Sequence, residues 1–189
     1  RRQRQMCIRD RVWMALFVVA PIIMVVIYAF TAAPPDSGFT LEEWVIFASI
    51  VQKESASVEE MYNVSSVFHN RLSNASEYPM LQSCTTNNFI WDYVEPYYND
   101  NVPQAVLDAY DTYDRNGLPI GAIANAGLDA FDASLHPNDT PYYFFVTDVE
   151  YTHYYAVTYQ QHLANIEKAK AVNAKPVSYT HLTLPTTSR

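Results

Sequence analysis

Glu54 closes an apolar stripe. Phe47, Ile50, Val51 and Glu54 recur at i, i+3, i+4 and i+7, the spacing of one helix face. A carboxylate that continues such a face is expected to be pressed against Phe47, Ile50 and Val51. Burial disfavours its charged form and would raise its pKa. A rise of two units corresponds to about 2.7 kcal/mol between the two protonation states. A carboxyl group kept protonated near neutral pH can donate to a leaving oxygen, which is general acid catalysis. The bland alternative is a glutamate at a helix end, solvated or paired with Lys53 or Arg71.

No other residue competes on these grounds. Glu59, Glu60, Glu77, Asp92 and Glu95 sit in polar runs, and Glu59 and Glu60 read most simply as first-turn residues favoured by a helix dipole. His69, His136, His153 and His162 are scattered, without the H-E-x-x-H spacing of a zinc site. The serines lack a G-x-S-x-G elbow. The tyrosine-rich runs 93–98, 142–145 and 151–155 read mainly as core, with a few rings lining a cleft. The sequons at Asn63, Asn74 and Asn138 read as ordinary helix, loop and turn residues.

The elements that must carry Glu54 follow from local signals. Thr40-Leu-Glu-Glu43 and Ser57-Val-Glu-Glu60 both fit a capping box, so helices are expected from Leu41 and, after Ser57, to about Leu72. Residues 73–101 are mixed, with an extended stretch near Met80–Ser83. Helical stretches follow at 105–113, 128–135 and 159–173. Runs 142–147 and 152–158 are β-branched and aromatic about a short acidic turn, the pattern of a hairpin. Helices first and a hairpin late give an α+β fold.

The 189 residues suit one domain of ordinary size, and 14% aromatics exclude a disordered acidic tail. There is no GxGxxG or GxxxxGK[ST] motif. The net charge of −8 argues against a nucleic-acid partner. Residues 1–11 and 176–189 fit nothing between them and read as non-native, adapter-like leader and tail. Without them, 6 Lys+Arg face 19 Asp+Glu and Cys84 has no partner cysteine. Val12 to Phe30 carries no charge across 19 residues and is long enough to span a bilayer. A transmembrane anchor is therefore expected at 12–33, a linker at 34–39 and an extracytoplasmic domain at 40–175. A cleaved signal peptide is the rival reading.

Six blocks in order resemble one family. Phe47-Ala-Ser-Ile-Val-Gln-Lys-Glu-Ser55 resembles the A-S-I-(V/I)-(E/Q)-K-E block of the YceG-like family, the endolytic murein transglycosylases of the MltG type. Val64–Leu72, Met80–Ser83, Tyr110–Tyr113, Gly117–Leu128 and Tyr143–His162 are similar to its later blocks. The resemblance implies a bacterial, single-pass membrane protein of cell-wall biogenesis whose outer domain cuts peptidoglycan glycan strands. It implies no cofactor, no metal and no nucleic acid, with cell-wall synthases as further partners. It makes Glu54 the catalytic acid, which protonates the glycosidic oxygen while the substrate's own C6 hydroxyl attacks C1. Glu54 then takes that hydroxyl's proton, leaving a 1,6-anhydro-muramoyl end and removing the need for a second carboxylate. It also implies substrate contacts at Gln82, Ser83, Tyr113, Asn125 and His153.

The chain departs from the family pattern in places. The family's LysM-like domain is missing between anchor and catalytic region. Its Q-S-D-P becomes Gln82-Ser83-Cys84-Thr85, and P-P-G-P becomes Pro119-Ile-Gly-Ala122. A muramidase-type hydrolase and a non-catalytic peptidoglycan-binding scaffold remain the alternatives. An aminodeoxychorismate-lyase activity lacks a phosphate cradle beside Lys53.

Overall fold

A computed structural model of the chain describes residues 38–99 and 101–174. The expected anchor at 12–33 and the adapter-like leader and tail lie outside the described residues. Among the described residues, no helix is long and apolar enough to cross a membrane.

Two helices form the base. Helix α1 (Leu41–Glu54) starts where the Thr40 signal places it, buries Trp44 and Ile46 to Val51, and leaves Leu41 and Val45 exposed. Helix α2 (Val58–Ser73) begins after the N-cap Ser57, whose hydroxyl accepts from the Glu60 backbone N–H. Phe47, Ile50 and Val51 of α1 and Val64, Val67 and Phe68 of α2 are the fully buried centre. Phe47 and Phe68 meet edge to face with centroids 6.3 Å apart, an arrangement that favours aromatic pairs.

The span 73–101 is more helical than expected. Met80 makes isolated bridges to Asn116 and Gly117, as an extended stretch should. From Cys84, however, the chain runs through α3 (Cys84–Phe89), a π-helical turn (Ile90–Val94) and α4 (Glu95–Tyr98), ending with Asn99 in the left-handed region. Threonine and asparagine are poor helix formers, so local propensity hides this element. The short helix α5 (Gln104–Tyr110) stops three residues before its expected end.

Helix α6 (Leu128–Leu135) packs on α1 and α2. Strands β1 (Phe144–Thr147) and β2 (His153–Ala156) form an antiparallel hairpin in the register Phe144↔Ala156 to Thr147↔His153. Asp148 fixes its turn by accepting from the N–H groups of Glu150 and Thr152, which lets Tyr151 adopt φ +63°. Helix α7 (Tyr159–Asn173) carries a complete capping box, Thr158 with Gln161, and packs on the hairpin. The whole is α+β, as the order of signals implied.

Candidate active site

Glu54 is the last residue of α1 and lies half-buried on the wall of a cleft of about 390 Å³. The stripe that leads to it is the buried one: Phe47, Ile50 and Val51 have no solvent exposure. Two hydroxyls converge on one of its carboxylate oxygens. Ser83 Oγ donates to Oε1 at 2.5 Å and Thr85 Oγ1 donates to the same oxygen at 3.1 Å. Oε2 takes no hydrogen bond among the described residues. It is therefore the oxygen able to carry and hand over a proton.

Ser83 reaches Glu54 because its backbone is fixed. Ser83 N–H donates to Thr112 Oγ1 at 3.0 Å, and Gln82 N–H donates to the Thr112 carbonyl at 2.9 Å. Thr112 has no solvent exposure. Ser83 is the N-cap of α3, yet its hydroxyl makes no cap bond, because it is committed to Glu54.

Gln82 stands at φ +54°, a strained conformation for a residue with a side chain. Arg71 secures it. The guanidinium, 6% exposed, donates from Nη2 to Gln82 Oε1 at 2.8 Å, to the Met80 carbonyl from Nε and Nη2, and to the Tyr143 carbonyl from Nη1. It also lies 5.7 Å and 5.6 Å from the ring centres of Tyr78 and Phe144. Arg71 takes one lone pair of Oε1, and the amide N–H groups of Gln82 make no hydrogen bond among the described residues, so they can bind an acceptor in the cleft.

Tyr113 also lines the cleft, with its hydroxyl 2.9 Å from Cys84 Sγ. Burial, then the Cys84 hydrogen bond and the nearby charges of Cys84 and Glu54, push this phenol well above the ordinary tyrosine range, so it stays protonated. His162 also lines the cleft and stacks on Phe144 with centroids 5.3 Å apart. Burial, followed by the charge of Arg71, holds its pKa below 6.5, which favours a neutral ring.

Of the residues expected at the site, Glu54, Gln82 and Tyr113 share this cleft. Ser83 is buried, outside the cleft lining, and reaches it only through its hydrogen bond to Glu54. Asn125 lies instead in a second cleft of about 440 Å³ with Lys53, Phe89 and Tyr93. His153 sits behind Glu54: its Nε2 is 3.1 Å from the Glu54 carbonyl oxygen, and its side chain is 1% exposed. The sequence does not place Thr85 or Thr112 at the site and offers Arg71 only as a partner of Glu54; each falls inside or beside a recognised block, and that proximity is the available signal. Glu60 reads only as a first-turn residue of α2.

The model of the YceG-like family matches residues 23–168. The chain belongs to the YceG-like family. A protein of Bacillus subtilis named endolytic murein transglycosylase is 28% identical over 139 residues, covering 72% of this chain and 36% of the relative. A Streptococcus pneumoniae protein of the same name is 31% identical over 149 residues, covering 74% and 25%. The chain thus spans between a quarter and about a third of the length of these relatives. A crystal structure of a yceG-like protein from Listeria monocytogenes superposes with a TM-score of 0.59 at 26% identity, covering 74% of this chain and 45% of that one. Five of the six blocks contribute residues to the cleft that holds Glu54, and the block at 117–128 does not.

Proposed function

We propose that this YceG-like chain is the catalytic part of a membrane-anchored endolytic murein transglycosylase, acting outside the cytoplasmic membrane on peptidoglycan glycan strands. The observation that carries this reading is the solitary acid: among the described residues lining the cleft, Glu54 is the only carboxylate. A hydrolase of the usual kind needs a second carboxylate to activate water or attack the sugar. A lytic transglycosylase does not, because the substrate supplies its own nucleophile.

Glu54, protonated on Oε2, donates to the oxygen of the MurNAc–GlcNAc bond as that bond breaks. The C6 hydroxyl of the same muramoyl unit attacks C1, and Glu54 takes its proton. The products are a 1,6-anhydro-muramoyl end and a free GlcNAc hydroxyl, with no water consumed. Ser83 and Thr85 hold Oε1 and so aim Oε2. Gln82 donates to an acceptor on the sugar, and the protonated Tyr113 offers a second donor. The relatives named endolytic murein transglycosylase support the reaction class, and the 19 uncharged residues at 12–30 support the anchor.

The test is digestion of purified peptidoglycan by the full chain, with mass spectrometry of the new ends. Anhydro-muramoyl ends from wild type and none from Glu54→Gln are expected. Ends heavier by one water would indicate a muramidase-type hydrolase instead. Uncut strands would leave a binding scaffold.

A further inference from the structure

The backbone carbonyl of Glu54 belongs to the last turn of α1, where helix carbonyls lack intrahelical partners. Its partner comes from 99 residues away, as His153 Nε2 on β2. A carbonyl only accepts, so Nε2 must carry a proton. The other ring nitrogen, Nδ1, lies 2.9 Å from Glu60 Oε1 in the first turn of α2. With one ring proton, Nδ1 makes no hydrogen bond and buries its lone pair against a carboxylate oxygen. That contact is repulsive, and Nδ1 is buried away from the water that would relieve it. One additional proton between Nδ1 and Oε1 turns it into a charge-assisted hydrogen bond.

The surroundings suit such a proton. The ring packs against both Phe145 of β1 and Tyr155 of β2, with centroids 5.8 Å and 5.9 Å away, in a three-ring cluster. The titratable neighbours are Glu60 on α2, Tyr155 on β2 and Glu54 itself on α1; β1 contributes only the apolar Phe145. Glu60 Oε2 and Tyr155 Oη are both buried without hydrogen bonds, and among the described residues His153 is the ionisable base paired with Glu60. Glu60 also occupies the position from which a capping-box glutamate would reach back to the Ser57 N–H. Only the serine half of that box forms. The glutamate is spent on His153.

We propose that His153 is held as an imidazolium by Glu60, and that this pair positions Glu54 by gripping the end of α1, so that loss of the shared proton releases the acid and sets the alkaline limb of activity. The inference deepens the reading of Glu54 as general acid and rests on it. His153 and Glu60 are positioning residues and do not touch substrate.

The experiment follows the ring nitrogens of His153 and the Glu54 carbonyl carbon by NMR in the full chain across pH, beside the pH profile of kcat. In wild type, both ring nitrogens should be protonated at neutral pH, and the Glu54 carbonyl should shift as the ring loses its proton, at the pH where kcat falls. Glu60→Gln supplies an amide donor to Nδ1, so its ring should hold one proton throughout and its alkaline limb should move or vanish. His153→Phe should lower kcat by roughly ten- to a hundredfold with little change in KM. A singly protonated ring in wild type at neutral pH, or a Glu60→Gln profile that overlays wild type, overturns the proposal. If the ring and carbonyl titrate together but no glycan is cut, the lyase reading fails and the pair stands. If glycan is cut while the ring stays neutral, the reverse holds.

Discussion

Glu54 is held from two sides by different chemistry. In front, its carboxylate meets the hydroxyls of Ser83 and Thr85, neutral donors that keep their protons at any physiological pH. Behind, its carbonyl meets His153, backed by Glu60, both of them ionisable. The front grip orients one oxygen within the cleft. The rear grip fixes where the helix ends. In both, a helix-start residue is diverted from its local task. Ser83 forgoes its cap bond on α3, and Glu60 forgoes its half of the capping box on α2. Helix-start bonds are worth about 1 kcal/mol each, so the fold gives up a little local stability to hold one acid.

The largest effect should come from the acid itself. Glu54→Gln keeps the size and the hydroxyl contacts but removes the transferable proton. Turnover on glycan strands should drop roughly 10²–10⁴-fold, measured as anhydro-ends released per enzyme, with the melting temperature little changed. If turnover survived, front and rear grips would have nothing to aim.

Phe68→Ala attacks the base that both grips stand on. Its ring is 2% exposed and packs against Phe47 and Phe145. A loss of about 3–5 kcal/mol in urea unfolding is expected. A much smaller loss would mean the two helices are not the base.

The front grip alone is removed by Ser83→Ala. A hydrogen bond to a charged group is worth about 1.5–3 kcal/mol, so kcat should fall on the order of ten- to a hundredfold. Unlike Glu60→Gln, Ser83→Ala should leave both His153 ring nitrogens protonated as in wild type, read by the same NMR measurement. A ring that lost its second proton in Ser83→Ala would erase the distinction between the two sides.

A weaker effect separates His153 from the other buried histidines. His69 and His162 are each held below 6.5, chiefly by burial. The unfolded chain therefore binds their protons more readily than the folded one just below that pH. Stability from these two groups is complete above about 6.5 and is lost as pH falls. The melting temperature should decline from pH 7 to pH 5, and His69→Gln should flatten that decline. A melting temperature that rose on acidification would contradict the neutral burial of these rings. At the bottom of the scale, Tyr97 is 81% exposed, and Tyr97→Ser should change stability by less than about 0.5 kcal/mol.

Much of this was written locally. Apolar spacing and cap signals announced α1 and α2 within a residue or two, because a helix face reports itself every three or four positions, and the stretches 128–135 and 159–173 read as helices with the bounds the structure has. Two β-branched and aromatic runs about a short acidic turn announced the hairpin. The helix from Cys84 escaped notice, since Thr85, Thr86, Asn87 and Asn88 have no helical preference and only their neighbours make them helical. The Ser57 box illustrates the same limit from the other side: spacing located the helix start, but not where Glu60 would point.

The sequence by itself determined that one glutamate ends a buried stripe, that the fold is α+β, and that the chain carries the blocks of its family. Each is a matter of residue type and short-range period. Only the tertiary structure decided what Glu54 touches: Ser83 and Thr85 are 29 and 31 residues away and His153 is 99 away. Such contacts arise when the packing of α1, α2 and the hairpin closes long loops, and no local spacing encodes that closure. The same packing moved Asn125 to a second cleft and drew His153 behind the acid.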